Sequence, residues 1–209
     1  MEEGAKTSTQ EIADEGLAAV RSNQVATLEE YFEKGYKMRN PQVVDLLLPK
    51  LREELISLSP VQKQTDAGER TRMRTIVVIG DGDGHVGVAS GKASQVSDSI
   101  AKASRRAKLN MMTVRRGCGS WECRCGESHS LPFRVSASAG SVGIELIPAP
   151  KGVGLVTGDK VRVVLELAGI KDAWSRSDGS TSTSISATFA AFNALKKTYT
   201  TMTGNDWGA

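Results

Sequence analysis

Three cysteines and a histidine crowd into one short stretch: Cys118, Cys123, Cys125 and His129, spaced Cys-x4-Cys-x-Cys-x3-His. Thiolate and imidazole are the donors that suit tetrahedral zinc, and a closed set of four would make a structural site. The spacing departs from the usual Cys-x2-Cys pair, so reduced thiols packed in a glycine-rich loop explain the cluster equally well. A disulfide framework fits poorly, because the cysteines are odd in number. The start, Met1 to Gln10, is polar and acidic with no apolar core of a signal peptide, which points to a cytoplasmic chain.

A second set of residues is suited to phosphate. Lys63, Arg70, Arg72 and Arg74 surround Gly68 in a polar segment read as a loop. Arg offers a planar fork that matches phosphate oxygens. Lys92 follows, and Lys102, Arg105, Arg106 and Lys108 project from the polar side of an expected helix; Arg115 and Arg116 complete the candidate RNA-binding set. No aromatic residues are interleaved in the loop or the helix, so recognition of the phosphate backbone and of shape is expected rather than base stacking. The acids Asp66 and Glu69 leave an ordinary surface turn as the alternative.

Catalytic patterns are weak by comparison. Gly87-Val88-Ala89-Ser90-Gly91-Lys92-Ala93 resembles a phosphate-cradling loop, yet its glycines are one residue too close, and Ala93 stands where a magnesium-binding hydroxyl belongs. Its glycines read as turns and close-packing positions. Pro150–Asp159 is glycine-rich and precedes a helix, whose N-terminus attracts anions. A small-molecule phosphotransferase built on that loop is therefore the enzymatic alternative. No Ser/His/Asp set is present, and no catalytic residue is assigned.

These groups need elements to hold them. Residues 1–26 lack sustained apolar periodicity, which predicts a mobile arm. Leu28, Tyr31 and Phe32 recur at helical spacing, and Asn40-Pro41 reads as a cap and first-turn proline. Val43, Val44, Leu47, Leu48, Leu51 and Leu55 continue as an apolar stripe that Pro49 kinks or divides. An extended run over 55–64 follows. Thr75–Ile79 and His85–Ser90 read as strands around the Asp81-Gly82-Asp83-Gly84 turn. A helix over 94–109 would bury Val96, Ile100, Ala103 and Ala107. The economical arrangement is a three-stranded sheet backed by this helix. Strands over 133–139 and 141–148, a helix from Gly158-Asp159 ending at Gly169, a strand over 170–175 and a helix over 185–197 make a second unit. The tail is expected to fray from Thr198.

The class is thus α+β, divided into an acidic arm and helical extension (1–54), a sheet-and-helix domain (55–114), a Cys-rich linker loop (115–132) and a C-terminal α/β domain (133–209). Charge follows this division: −4 over residues 1–60, +6 over 61–134 and +1 over 135–209. A basic middle beside an acidic arm suggests a localised polyanion contact. No apolar run approaches the ~20 residues that span a bilayer, so no membrane role is expected.

Several ordered motifs resemble one family. Thr65-Asp66-Ala67-Gly68-Glu69-Arg70-Thr71-Arg72, Val77-Val78-Ile79-Gly80-Asp81, Gly84-His85-Val86-Gly87 and Gly91-Lys92-Ala93 are similar to the N-terminal signature of the universal ribosomal small-subunit protein five family. Arg115-Arg116-Gly117-Cys118-Gly119-Ser120-Trp121-Glu122-Cys123 resembles its archaeal branch. Residues 148–155 and 167–172 resemble its second half, and the resemblance spans Leu28 to Lys197. It implies a module similar to double-stranded-RNA-binding domains, followed by an α/β domain of a kind shared with small-molecule kinases. It further implies binding to small-subunit rRNA and to small-subunit proteins four and eight, near mRNA where it enters the subunit, with no DNA partner. The family is associated with assembly, decoding accuracy and unwinding of structured mRNA. Residues 63–74 match its extended rRNA-contacting hairpin. Met73 replaces the usual aromatic, and Ser182 and Ser186 stand where Arg and Asn are common, a departure that bears on an rRNA contact near 181–186.

Overall fold

A computed structural model describes residues 16–22, 25–123 and 125–201. Residues 16–21 are helical (α1), followed by α2 (Leu28–Glu33) and α3 (Pro41–Leu47). Thr27 caps α2 by accepting the Glu30 amide, and Asn40 caps α3 by accepting the Gln42 amide, with Pro41 in the first turn. These caps satisfy amides that a helix start leaves without partners. Helix α3 stops at Leu48 because the residue before Pro49 is sterically driven out of the helical region. Pro49 therefore ends the helix, and Leu55 belongs to the strand that follows. The expected mobile arm is corrected in part. Leu17, Ala19, Val20 and Val25 are buried in one cluster with Tyr31 and Val43, a contact that only the folded chain supplies. Residues 1–15 lie outside the described residues.

The first sheet has strand order β1-β2-β3-β4, with β1 (Arg52–Thr65), β2 (Gly68–Gly80), β3 (His85–Ala93) and β4 (Met111–Thr113), all antiparallel. The short β4 adds a fourth strand to the three expected. The segment read from its polarity as a loop is a paired ribbon, in line with the extended hairpin that the family resemblance implied. Strands β1 and β2 stay paired out to Thr65↔Gly68, leaving Asp66-Ala67 as a two-residue turn. Ladder hydrogen bonds hold such a ribbon whatever the side chains' polarity, and edge position lets β1 accommodate Pro60.

Helix α4 (Val96–Leu109) covers one face of this sheet. Its buried line is Ser99, Ala103 and Ala107, which meets glycines. A Cβ at Gly91 would lie 2.2 Å from the Ser99 carbonyl, and one at Gly87 would lie 2.3 Å from that of Ala107. Small residues on both sides set a close approach of helix to sheet. Val96, expected inside, is 36% exposed, because the first turn precedes the line that meets Gly91. Ser99 is tolerated in the core because its hydroxyl and carbonyl both bond to Thr75.

The second sheet runs β5-β6-β8-β7: β5 (Val135–Ala139), β6 (Val142–Pro148), β8 (Ala173–Gly179) and the two-residue β7 (Leu155–Val156), the last parallel to β8. Helices α5 (Asp159–Leu167) and α6 (Ser184–Thr200) complete the mixed α+β fold. The frayed end expected from Thr198 is corrected as far as Thr200, the last residue of α6; residues 202–209 lie outside the described residues. Thr198 is fully buried, donates to the Leu195 carbonyl and accepts the Arg115 amide.

The two sheets share apolar packing. Val78, Val86 and Val88 of the first sheet join Ile144, Leu146, Leu165, Phe192 and Leu195 in one cluster. Each fully buried side chain of this size contributes ~1.5–3 kcal/mol. Among the described residues no helix is long and apolar enough to cross a membrane.

Candidate functional site

Strand periodicity arranges the first basic group. In β2, Arg70, Arg72 and Arg74 are two residues apart and share one face of the pleat. Lys63 is registered opposite Arg70, and Lys92 of β3 opposite Arg74. Five cations therefore form one strip on a single face of the hairpin. The acid Glu69 falls on the other face, by the same alternation. Arg74 Nε is covered and has no hydrogen-bond partner among the described residues.

The helical cations are not part of the strip. Helix α4 packs against the face carrying Thr75, Val77 and Ile79, whereas Arg70, Arg72 and Arg74 belong to the opposite one. Lys102 and Arg105 are exposed on α4. Lys108 is 2.6 Å from Asp45 of α3, and Arg106 donates to the Ser90 carbonyl at 3.2 Å. Arg116 donates to the Asp83 carbonyl at 2.7 Å, and the Arg115 guanidinium lies 5.8 Å from the Tyr199 ring centre. These four cations hold the protein's own elements together. The candidate cations thus divide into a hairpin strip and separate positions on α4 and at residues 115–116.

The second group converges as its types suggested. The ligand atoms of Cys118, Cys123, Cys125 and His129 all lie within 4.8 Å of one another. Tetrahedral zinc would set such atoms about 3.5–3.8 Å apart. Cys123 Sγ is already 3.7 Å from His129 Nε2. The hairpin-like return of the loop brings them together: Gly117 and Ser130 exchange backbone hydrogen bonds at 2.9 Å, and Gly119 donates to the Leu131 carbonyl.

Sequence reasoning missed one participant. Asp172 is buried, with Oδ2 2.8 Å from His129 Nδ1. A carboxylate there fixes the proton on Nδ1 and leaves Nε2 as the donor atom toward the cysteines. Asp172 Oδ1 also accepts the amides of Gly152 at 3.0 Å and Gly154 at 2.8 Å. No spacing signal links positions 129 and 172, which are joined only by the fold. The Cys123 thiol is pulled down to about 6, first by a backbone hydrogen bond from Lys151 and then by Cys125. The Cys118 thiol is pushed up to about 11, by desolvation and by the neighbouring Cys125 and Cys123 thiols. Neighbouring thiols make it costly for the set to ionise together, a cost that a bound cation would offset.

Those same amide bonds answer the enzymatic alternative. The Gly152 and Gly154 donors that could have met a phosphate are turned inward to Asp172. The glycine-rich loop is a structural connection.

Comparison with known sequences agrees with this architecture. The sequence model for ribosomal protein S5, N-terminal domain, matches residues 51–115, and that for its C-terminal domain matches residues 137–204. The chain belongs to the ribosomal protein S5 family. Members of this family are structural ribosomal proteins rather than enzymes. Relatives carrying the name small ribosomal subunit protein uS5 include that of Pyrobaculum calidifontis, 52% identical over 180 residues, 86% of this chain and 89% of the relative. That of Thermofilum pendens is 51% identical over 188 residues, covering 90% and 93%. That of Sulfolobus acidocaldarius is 50% identical over 189 residues, covering 90% and 88%. The family and its archaeal-type character are as the sequence motifs implied.

Proposed function

We propose that the chain is a constituent of the small ribosomal subunit in the cytoplasm, holding rRNA through phosphate contacts made by its long hairpin. The observation that carries this reading is the register strip of Lys63, Arg70, Arg72, Arg74 and Lys92 on one face of β2 and its neighbours. Alternating guanidinium groups about 7 Å apart along a strand suit the spacing of successive backbone phosphates. Small-subunit proteins four and eight, and mRNA where it enters the subunit, are the accompanying partners. Residues 55–114 and 133–209 act as the two folded units, with 115–132 as the linker between them. Lys102 and Arg105 are a second, independent contact. Sedimentation of the native protein tests the reading: it should travel with small subunits and be released by high salt. Sedimentation as free protein at low salt would overturn it.

The cysteine–histidine group serves, in this proposal, as one structural zinc site that stiffens the linker. His129 and three thiolates exhaust the tetrahedral positions, leaving none for a reacting water. Purified protein should hold one equivalent of zinc, and cobalt substitution should give the intense visible bands of a thiolate-rich tetrahedral site. Asp172→Asn keeps the shape but weakens the hydrogen bond that orients His129, and should lower zinc affinity about 10- to 100-fold. Retention of full affinity would show that Asp172 does not support the site; absence of zinc in native material would remove the site itself.

A further inference from the structure

The most exposed large apolar side chain of the described residues is Trp121, at 89%. An indole left almost wholly in water adds little to folding and keeps its ring faces open to contact. The turn that carries it is held on both sides. Before it, Gly119 donates to the Leu131 carbonyl at 2.9 Å, and a Cβ at Gly119 would lie 2.1 Å from the Pro132 carbonyl. After it, the Cys123 amide donates to the Ser120 carbonyl at 3.3 Å, and Cys123 Sγ faces His129. Ser120 itself is buried. Trp121 therefore projects from a fixed platform rather than from a loose loop, which lowers the ordering cost of any contact it makes.

The surroundings discriminate between partners. A protein-binding anchor sits in an apolar patch that sheds water around it. Within residues 115–132 Trp121 is the sole exposed large apolar side chain among the described residues, and its neighbours are Ser120, Glu122 and the polar Gly126–Ser128 stretch. Cations stand on the adjoining segments. Lys151 pairs with Glu127 of this loop at 2.7 Å, and the exposed Lys171 donates its amide to the His129 carbonyl. A lone aromatic plane on a rigid polar loop, with no apolar rim around it, is the arrangement that stacks an unpaired base.

We propose that Trp121 is a stacking platform for one unpaired RNA base, an inference that rests on the rRNA-binding reading above. It adds a base contact to a chain whose basic elements otherwise address phosphates. The test titrates the full-length protein, and its Trp121→Ala and Trp121→Phe variants, with a mixed-sequence 12-nucleotide single-stranded RNA, following tryptophan fluorescence. The unaltered chain should be quenched on binding. Trp121→Ala should lose most of that quenching and bind about tenfold more weakly, while Trp121→Phe recovers most of the affinity. The salt dependence should be the same in all three, since no charge has been removed. Equal affinity of Trp121→Ala and the unaltered chain would overturn the stacking role while leaving rRNA binding standing. Quenching that arises with small-subunit proteins but not with RNA would overturn it in favour of a protein partner. No binding of this RNA by any of the three would overturn this inference, while sedimentation with small subunits tests the rRNA reading separately.

Discussion

Replacing Arg70, Arg72 and Arg74 together by alanine is expected to weaken binding to small-subunit rRNA on the order of 100-fold at low salt. The three side chains lie on one face of β2 and can meet the same backbone simultaneously. Every cation withdrawn from a phosphate takes roughly 0.9 off the slope of log affinity against log salt. The slope should therefore fall by about 2.7, and the difference between the proteins should shrink as salt rises. The natural control is Lys102→Ala with Arg105→Ala on α4, which packs on the other face of the sheet. That pair should lower affinity by a smaller amount and leave the strip's share of the slope intact. Lys108→Ala should do little, since Lys108 is engaged with Asp45. A filter-binding or calorimetric series over a range of salt decides it. An unchanged slope in the triple variant would show that the strip does not touch phosphate.

Gly169→Ala is expected to be the most damaging single small substitution at a helix end, costing about 2–4 kcal/mol. Gly169 follows α5, where its amide donates to the Glu166 carbonyl and the Ile170 amide to that of Leu165, a closed C-terminal motif that needs a left-handed residue. Its φ is +77°, and a Cβ there would lie 2.1 Å from the Gly82 carbonyl and 3.0 Å from Arg116 Nη1. Backbone strain of about 1 kcal/mol adds to an overpacking cost of about 1–3 kcal/mol. Gly35 ends α2 with nearly the same angle, +79°, but nothing lies within 4 Å of its added Cβ. Gly35→Ala should therefore cost only the strain, about 1 kcal/mol. Urea unfolding of the two variants separates the two effects. Equal destabilisation would mean that the packing between the Gly82 turn and the α5 terminus yields without penalty.

That pair of glycines also shows how far the sequence reaches. The end of α5 at Gly169 is legible locally, because a glycine after an apolar periodic segment is a familiar helix stop. That the position sits against the Gly82 turn is not, since the two are brought together only when the sheets pack. Pro49 illustrates the opposite case. Its steric effect on Leu48 acts through one peptide unit, so the sequence alone carries the break in the apolar stripe. The family motifs, the α+β class and the helix starts at Asn40 and Gly158 are of this local kind. The N-terminal arm escapes a local reading because Leu17, Val20 and Val25 gain their burial from Tyr31 and Val43, not from a periodicity of their own.

The sequence by itself determined which residues are basic, that Arg70, Arg72 and Arg74 alternate, and that three cysteines and a histidine are close along the chain. Alternation becomes a one-sided strip only when the segment is a strand, which its polar composition did not show and only the family resemblance implied. Tertiary structure decided the rest: Lys63 and Lys92 join through cross-strand register, α4 takes the other face, and Arg116 and Lys108 are drawn into internal pairs. It also brought Asp172 to His129 from 43 residues away. Spacing along a chain fixes which side chains share a face of one element. Which elements then face each other depends on packing, and packing is settled by close approaches such as Gly91 on Ser99 that no local pattern contains.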